Sequence, residues 1–202
     1  MNIEDKIGLI DLDGTAADYD TEMWRQMNLI RAPGEPEIEQ RPTFDEDVPT
    51  YFTARRKMIQ RQPGFWRNLK PLPLGFEVIA DMREIGFALH VLTKGPKTTP
   101  NAWSEKLEWC TEHLPDATVT ISGDKSLVYG RVLFDDFPPY IEPWLARRPR
   151  GQVVCLAHPW NAEYAEGGGK QHARVFRYDG SNREGLRKVL RRAFERGDRE
   201  PL

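Results

Sequence analysis

Residues 7–20 read IGLIDLDGTAADYD, an aliphatic run that stops at Asp11, Leu12, Asp13 and Gly14. The run over 6–11 (KIGLID) is short, apolar and cut off by polar turn residues, the pattern of a buried β-strand. Residues two apart on an extended segment point the same way, so Asp11 and Asp13 face one centre while Leu12 turns back into the protein. Two carboxylates that close repel each other unless something cationic sits between them. The strand therefore predicts a cation at its carboxyl end, with Gly14 placed for a sharp turn.

Four later runs resemble the first: 87–93 (FALHVLT), 117–121 (ATVTI), 131–135 (RVLFD) and 152–157 (QVVCLA). They are too uniformly apolar to be half-exposed, which is the signature of strands covered on both faces. Helical patterns lie between them. Residues 75–86 carry Phe76, Ile79, Ala80 and Met82 at turn-by-turn spacing before Gly86, and 100–114 carry Trp103, Leu107, Cys110 and Leu114. Thr99-Pro100 supplies an N-cap and a first helical position for the second of these. Strand and helix in alternation predict an α/β fold, a Rossmann-like parallel sheet with helices on both faces.

One segment breaks the alternation. Residues 16–72 hold two helical patterns, around Trp24 and over 51–59 (YFTARRKMI), joined by the Pro- and acid-rich link APGEPEIEQRP at 32–42. An unstructured loop of that length is uncommon in a compact domain, so a small helical insertion is expected at 16–72, with 1–15 and 73–202 forming the core. Farther on, AEGGGKQ at 165–171 reads as a loop, since its glycines lack the following helix and Lys-Ser/Thr of a phosphate loop. RVFRY at 174–178 reads as a last edge strand, and 183–196 as an amphipathic helix with Leu186, Val189, Leu190, Ala193 and Phe194 on one face.

With 202 residues the chain has the length of one domain carrying a modest insertion. No apolar run approaches the roughly 20 residues of a membrane span. The start, MNIEDKIG, shows neither a secretory nor an Arg-rich transit pattern, so a cytoplasmic location and no membrane partner are expected. Cys110 and Cys155 read as small buried hydrophobes rather than a disulfide or zinc pair. Net charge is only −2, and apart from ARRPR at 146–150 and the last helix the basic residues are dispersed, which argues against duplex nucleic acid and leaves a small anionic substrate.

In parallel sheets ligands bind beyond the carboxyl ends of the strands, where strand order reverses. Those ends hold Asp11 to Thr15, then Thr93-Lys94-Gly95, then Gly123-Asp124-Lys125 in the turn after the third strand, then Asp135-Asp136. The acids suit a hard cation such as Mg²⁺ that also binds substrate phosphate, while Lys125 and Thr93 are donors for phosphoryl oxygens. His158, at the end of the fifth strand, reads as a hydrogen-bonded structural histidine on the same rim.

With Asp11-Leu12-Asp13-Gly14-Thr15, Thr93, Lys125 and Asp135-Asp136 in this order, the chain resembles the haloacid dehalogenase superfamily. Within it the chain is most similar to the 5′(3′)-deoxyribonucleotidases, through FW..L.PLP at 65–73, Asp124-Lys125 and LFDDFP at 133–138. The resemblance implies a Mg²⁺-dependent phosphomonoesterase acting on a small-molecule nucleotide, deoxyribonucleotide 5′-phosphates first. It makes Asp11 the nucleophile, Asp13 the acid and base, Thr93 and Lys125 the remaining catalytic donors, and Asp11, Asp13, Asp135 and Asp136 the metal shell. It also makes 16–72 a cap over the site, with Tyr19, Phe65 and Trp66 as candidates to meet the base. At the junction where Phe65 and Trp66 stand, aromatic faces either pack or stack on a base. The chain departs from the family at Thr93-Lys94-Gly95-Pro96, where Thr-Ser-Pro is usual, and at Gly123, where a basic residue is usual; Lys94 is placed to replace that charge. Two rivals follow: a phosphatase for a polynucleotide 3′-phosphate or sugar phosphate, and a non-catalytic nucleotide-binding module, whose sign would be loss of Asp11 or Asp13. A homodimer is compatible with all of these.

Overall fold

The run that ends at Asp11 forms strand β1 (Ile7–Ile10), and it lies inside a six-stranded sheet rather than at its edge. The computed structural model describes residues 6–39, 49–165 and 172–197; part of the acid-rich link and the glycines at 167–169 lie outside them. The other strands are β2 (Ala88–Lys94), β3 (Thr118–Ser122), β4 (Val132–Phe134), β5 (Gln152–Leu156) and β6 (Val175–Tyr178). Their spatial order is β3-β2-β1-β4-β5-β6 and every pairing is parallel. The order reverses between β1 and β4, so the carboxyl ends that carry Asp11 and Asp135 are neighbours, with the Asp11 amide donating to the Phe134 carbonyl at 2.8 Å.

The helices are α1 (Tyr19–Leu29), α2 (Thr50–Gln60), α3 (Pro73–Ile85), α4 (Asn101–His113), α5 (Pro138–Arg147) and α6 (Arg183–Glu195). Because side chains alternate along a strand, Leu9, Leu92, Leu133, Val153 and Cys155 meet Ile141, Trp144 and Leu145 of α5. Ile10, Val91, Val132, Phe134 and Val154 share the other cluster with α3, α4 and α6. Helix α6 is tied to α3 through the buried Asp81, whose carboxylate accepts from Arg183 Nε at 3.1 Å and Arg187 Nη1 at 2.5 Å. Both cysteines are buried and free. No helix among the described residues is long and apolar enough to cross a membrane.

Between β1 and α3 the chain makes a helical excursion in which α1 and α2 pack on each other, Trp24 against Phe52 at 5.9 Å between ring centroids. Its outgoing and returning ends run side by side. The Asp18 amide donates to the Lys70 carbonyl and the Leu72 amide to the Ala16 carbonyl, each at 2.8 Å, so the excursion joins the sheet through a two-chain neck.

Several expectations change. Strand β3 is an edge strand, half-buried over most of its length rather than covered on both faces, and its Thr-Val-Thr-Ile-Ser alternates hydroxyl with aliphatic residues as a half-exposed strand does. Helix α5 has no counterpart in the sequence reading, because three prolines crowd its ten residues. Pro138 sits at the helix start, where its missing N–H costs nothing, and Pro143 lies on the exposed side. In α3 the inward face is Val78, Ile79 and Met82, with Ala80 outside. In α4 no side chain caps the first turn, and the helix is rotated from the expected stripe: Trp103 and Leu107 are exposed, while Ala102, Glu105, Lys106, Trp109 and Cys110 point inward. This rotation sets which side chains of α4 reach the carboxyl ends of the strands.

Candidate active site

Asp11 lies just past β1 and is buried, with its Oδ1 accepting from Lys125 Nζ at 2.6 Å. The same ammonium donates to Asp135 Oδ2 at 2.8 Å. Lys125 reaches this point from a short 3₁₀ turn, Lys125–Leu127, which Asp124 shapes by accepting from the Ser126 amide at 2.9 Å and hydroxyl at 2.6 Å. Burial pulls the Lys125 ammonium down, but the Asp11 and Asp135 carboxylates outweigh it and hold its pKa above the ordinary lysine value. Burial, together with repulsion from Asp11, pushes the Asp135 carboxyl up to about 7 against the pull of Lys125. Asp135 Oδ1 accepts from the Phe137 amide at 3.0 Å.

Asp136 is oriented from three directions. Thr15 Oγ1 donates to its Oδ1 at 2.8 Å, Trp160 Nε1 to its Oδ2 at 3.0 Å, and Asn161 Nδ2 to its carbonyl at 2.9 Å. Gly14 has φ +78°, and a Cβ there would lie 3.0 Å from Asp136 Oδ2, so the turn after β1 requires glycine both for its conformation and for the approach of the carboxylate. His158 Nε2–H donates to the Gly14 carbonyl at 2.7 Å and its ring stacks on Trp160 at 4.1 Å, the structural role its sequence position suggested. The segment after β5 therefore braces the acidic rim, a function the sequence did not disclose.

Asp11, Asp135 and Asp136 bring one carboxylate oxygen each to within 4.8 Å of one another, and all three residues are buried. Three carboxylates against the single ammonium of Lys125 leave two negative charges, carried by hard oxygen donors. That donor set fits a divalent cation such as Mg²⁺. The Asp13 carboxylate, expected in the same shell, is not part of this group.

Asp13 turns instead to Lys106 of α4, whose Nζ donates to Asp13 Oδ2 at 2.5 Å. Lys106 is 1% exposed, and it also donates to Thr93 Oγ1 at 3.1 Å and to the Lys94 carbonyl at 2.9 Å. Burial raises the Asp13 carboxyl above its usual range, Lys106 lowers it and Asp11 raises it further. Asp13 Oδ1 is buried and has no hydrogen-bond partner. One oxygen is thus held by an ammonium and the other is left to receive or return a proton. Lys106 was missed because the stripe Trp103, Leu107, Cys110 and Leu114 pointed elsewhere. The signal that finds it is the competing stripe Ala102, Glu105, Lys106, Trp109 and Cys110.

Glu105, the neighbour of Lys106, reaches the other way. Its carboxylate accepts from the Gly64 amide at 2.8 Å and the Trp66 amide at 3.0 Å, fastening the returning arm of the excursion to α4. Glu105→Ala leaves both buried amides without acceptors, at about 1–3 kcal/mol for each buried group. The expected result is a loss of roughly 3 kcal/mol in urea-induced unfolding, with Glu105→Gln losing less because one acceptor oxygen survives.

Tyr19, Phe65 and Trp66 come together and are all buried. Tyr19 stacks on Trp66 at 5.6 Å and meets Phe65 edge-on at 5.8 Å, and Lys106 Nζ lies 4.5 Å from the Trp66 ring centre. The three rings pack on one another and roof the Lys106–Asp13 pair. Lys94 is exposed, its Nζ 5.0 Å from the ring centre of Tyr140, a residue of α5 that also lies 4.6 Å from Lys125 Nζ. Gly95 is packed under Trp103: a Cβ there would come within 2.2 Å of the indole.

A model of the family described as 5′ nucleotidase, deoxy (pyrimidine), cytosolic type C matches residues 5–169. The chain is 30% identical over 166 residues to a provisionally named 5′(3′)-deoxyribonucleotidase of Bordetella pertussis, spanning 78% of this chain and 87% of the relative. A protein of the same provisional name from Staphylococcus aureus is 31% identical over 87 residues, 42% of this chain and 47% of the relative. Among solved structures, a haloacid dehalogenase-like family hydrolase from Xanthomonas campestris superposes with a TM-score of 0.52 at 15% identity, over 94% of this chain and 97% of that one. A HAD family hydrolase from Deinococcus radiodurans, solved with bound phosphate and sodium, gives 0.53 at 15% identity over 93% and 97%. At that identity the two structures speak to the fold.

Proposed function

The chain belongs to the cytosolic type C family of deoxy (pyrimidine) 5′ nucleotidases, phosphoric monoester hydrolases on a HAD-like fold, and from that premise we propose a Mg²⁺-dependent cytoplasmic enzyme that removes the phosphate of deoxyribonucleoside 5′-monophosphates. The observation that carries the reading is the pairing of two aspartates one residue apart with two different buried lysines, Asp11 with Lys125 and Asp13 with Lys106. The same residue type is thereby given two environments, one for attack and one for proton transfer.

Asp11 attacks phosphorus, forms an aspartyl phosphate and releases the nucleoside oxygen, and water then hydrolyses the intermediate. Asp13 protonates the leaving oxygen through Oδ1 and afterwards takes a proton from the water. Lys125 and the Thr93 hydroxyl are placed to stabilise the charge on the phosphoryl oxygens. Asp11, Asp135 and Asp136 would hold the cation, with Asp13 contributing charge rather than a carboxylate ligand. Held there, a Mg²⁺ ion would supply charge neutralisation for the transferring phosphoryl group. Residues 16–72 act as the cap that selects the substrate, the Tyr19–Phe65–Trp66 cluster forms its underside, and Lys94 with the Gly95 turn lines the rim.

Phosphate release from a panel of nucleoside monophosphates and sugar phosphates, with Mg²⁺ and with chelator, tests the reading. Release is expected from deoxyribonucleotides and is lost in chelator. No release from any compound would remove the enzyme reading, and release from sugar phosphates alone would remove the nucleotidase one.

A further inference from the structure

At the edge of the sheet opposite the catalytic aspartates, where β4 and β5 begin and α5 and α6 end, lies a cavity of about 270 Å³ walled by arginines. The run ARRPR forms one side with Arg147, Arg148 and Arg150, and Arg131 and Arg196 form the other. Part of this charge is used by the helix ends. Arg131 donates to the carbonyls of Phe194 at 3.3 Å and Arg196 at 2.6 Å, Arg150 donates to the Gly197 carbonyl, and Arg196 to that of Arg150.

Arg148 Nη1 donates to the Arg147 carbonyl at 3.2 Å, and other donors stay unused. The Nε atoms of Arg148, Arg150 and Arg196 are buried without a hydrogen-bond partner. The Arg147 side chain makes no hydrogen bond to any described residue, although its charge acts on the Asp124 carboxylate, and none of Arg147, Arg148, Arg150 and Arg196 forms a salt bridge with a described carboxylate. Elsewhere the chain pairs its arginines with acids, as at Arg83–Asp116, Arg55–Glu35 and Arg187–Glu84. Burial first, and then the neighbouring Arg150 and Arg131, push the Arg196 guanidinium below its ordinary value.

We propose that this pocket is a second anion site, which takes a compact phosphoryl ligand, a phosphate or diphosphate group either free or carried by a nucleotide. Guanidinium forks match phosphate oxygens in pairs, and five arginines line this pocket. The volume lies just below the roughly 300–1,000 Å³ of ordinary small-molecule sites, which suits one or two phosphates better than a whole nucleotide. Tyr129, 49% exposed on the rim with Arg148 5.9 Å from its ring centre, offers a face to a base outside the pocket. Four residues of extended chain, about 13 Å, separate Arg131 from Asp135, so a ligand here does not touch the catalytic carboxylates. The site stands independently of the nucleotidase reading.

The test is calorimetric titration of the full chain, in chelator and at fixed ionic strength, with inorganic phosphate, pyrophosphate and deoxythymidine triphosphate. In chelator the excess carboxylate charge at the catalytic end repels anions, so binding reports the far pocket. Saturable one-to-one binding of pyrophosphate is expected. Arg147→Gln with Arg148→Gln should weaken it at least tenfold while phosphatase activity stays within twofold, and the corresponding pair of lysine substitutions should retain most of it. Should the double variant lower the melting temperature, Arg147→Gln alone, which breaks no hydrogen bond, should still weaken binding about threefold. Tighter binding of the triphosphate than of pyrophosphate assigns the site to nucleotides, and equal binding assigns it to the anion alone. Absence of saturable binding by the unaltered chain, or unchanged binding by the folded glutamine variants, overturns the proposal.

Discussion

Asp11→Asn is expected to reduce phosphate release by roughly 10⁴-fold or more, the scale on which enzymes lose rate when a covalent nucleophile is removed. An amide nitrogen or oxygen in place of the carboxylate cannot form the acyl phosphate, so no other group can take over the first step. The fold should survive. Asp11, Asp135 and Asp136 are three buried acids sharing the ammonium of Lys125, and removing one negative charge lowers their mutual repulsion while Lys125 keeps its bond to Asp135. The melting temperature in chelator is therefore expected to be no lower than that of the unaltered chain. Activity within a few-fold of the unaltered chain would refute the assignment of Asp11, whereas loss of activity together with unfolding would show only that the charge balance was misjudged.

Lys106→Met carries the second large effect. Methionine keeps the unbranched apolar stem of the buried side chain but removes the ammonium that holds Asp13 Oδ2, Thr93 Oγ1 and the Lys94 carbonyl in one arrangement. A fall in kcat on the order of 100-fold is expected, the usual cost of losing one aligned donor. The sign of the pH effect follows from the forces on Asp13. Burial raises its carboxyl, Lys106 lowers it and Asp11 raises it, so without Lys106 the carboxyl rises further. Asp13 must be ionised to take a proton from water, and the acid limb of the pH–rate profile therefore moves to higher pH. Lys106→Arg should return most of the profile. A residue that merely packed would lower stability without moving that limb, so an unmoved profile would assign Lys106 to structure alone.

Much of this site was legible because its residues stand at strand ends. A strand end is marked in the sequence by the change from aliphatic to polar residues, and in a parallel sheet all the carboxyl ends meet on one edge. Asp11, Thr93, Lys125, Asp135 and Asp136 could be read on that ground, and the structure places Lys125 between Asp11 and Asp135. Asp13 was legible as a site residue but not in its partner. Its alternation with Asp11 pointed toward one shared cation, whereas its carboxylate is taken by a lysine 93 positions away.

The sequence by itself determined the element types that alternate along most of the chain and the rim on which the acids gather, because period and polarity are local properties of the chain. Only the tertiary structure decided which way each helix faces. In α4 the stripe containing Trp103 and Leu107 and the stripe containing Lys106 and Trp109 are both spaced correctly for a helix. The second turns inward because Lys106 finds Asp13, Glu105 finds two backbone amides and Trp109 Nε1 finds the Leu69 carbonyl at 2.7 Å. Those partners come from segments far away in the chain, so their bonds form only once the fold has brought them together. The same holds for Trp160 on Asp136 and for the arginines at the opposite edge of the sheet.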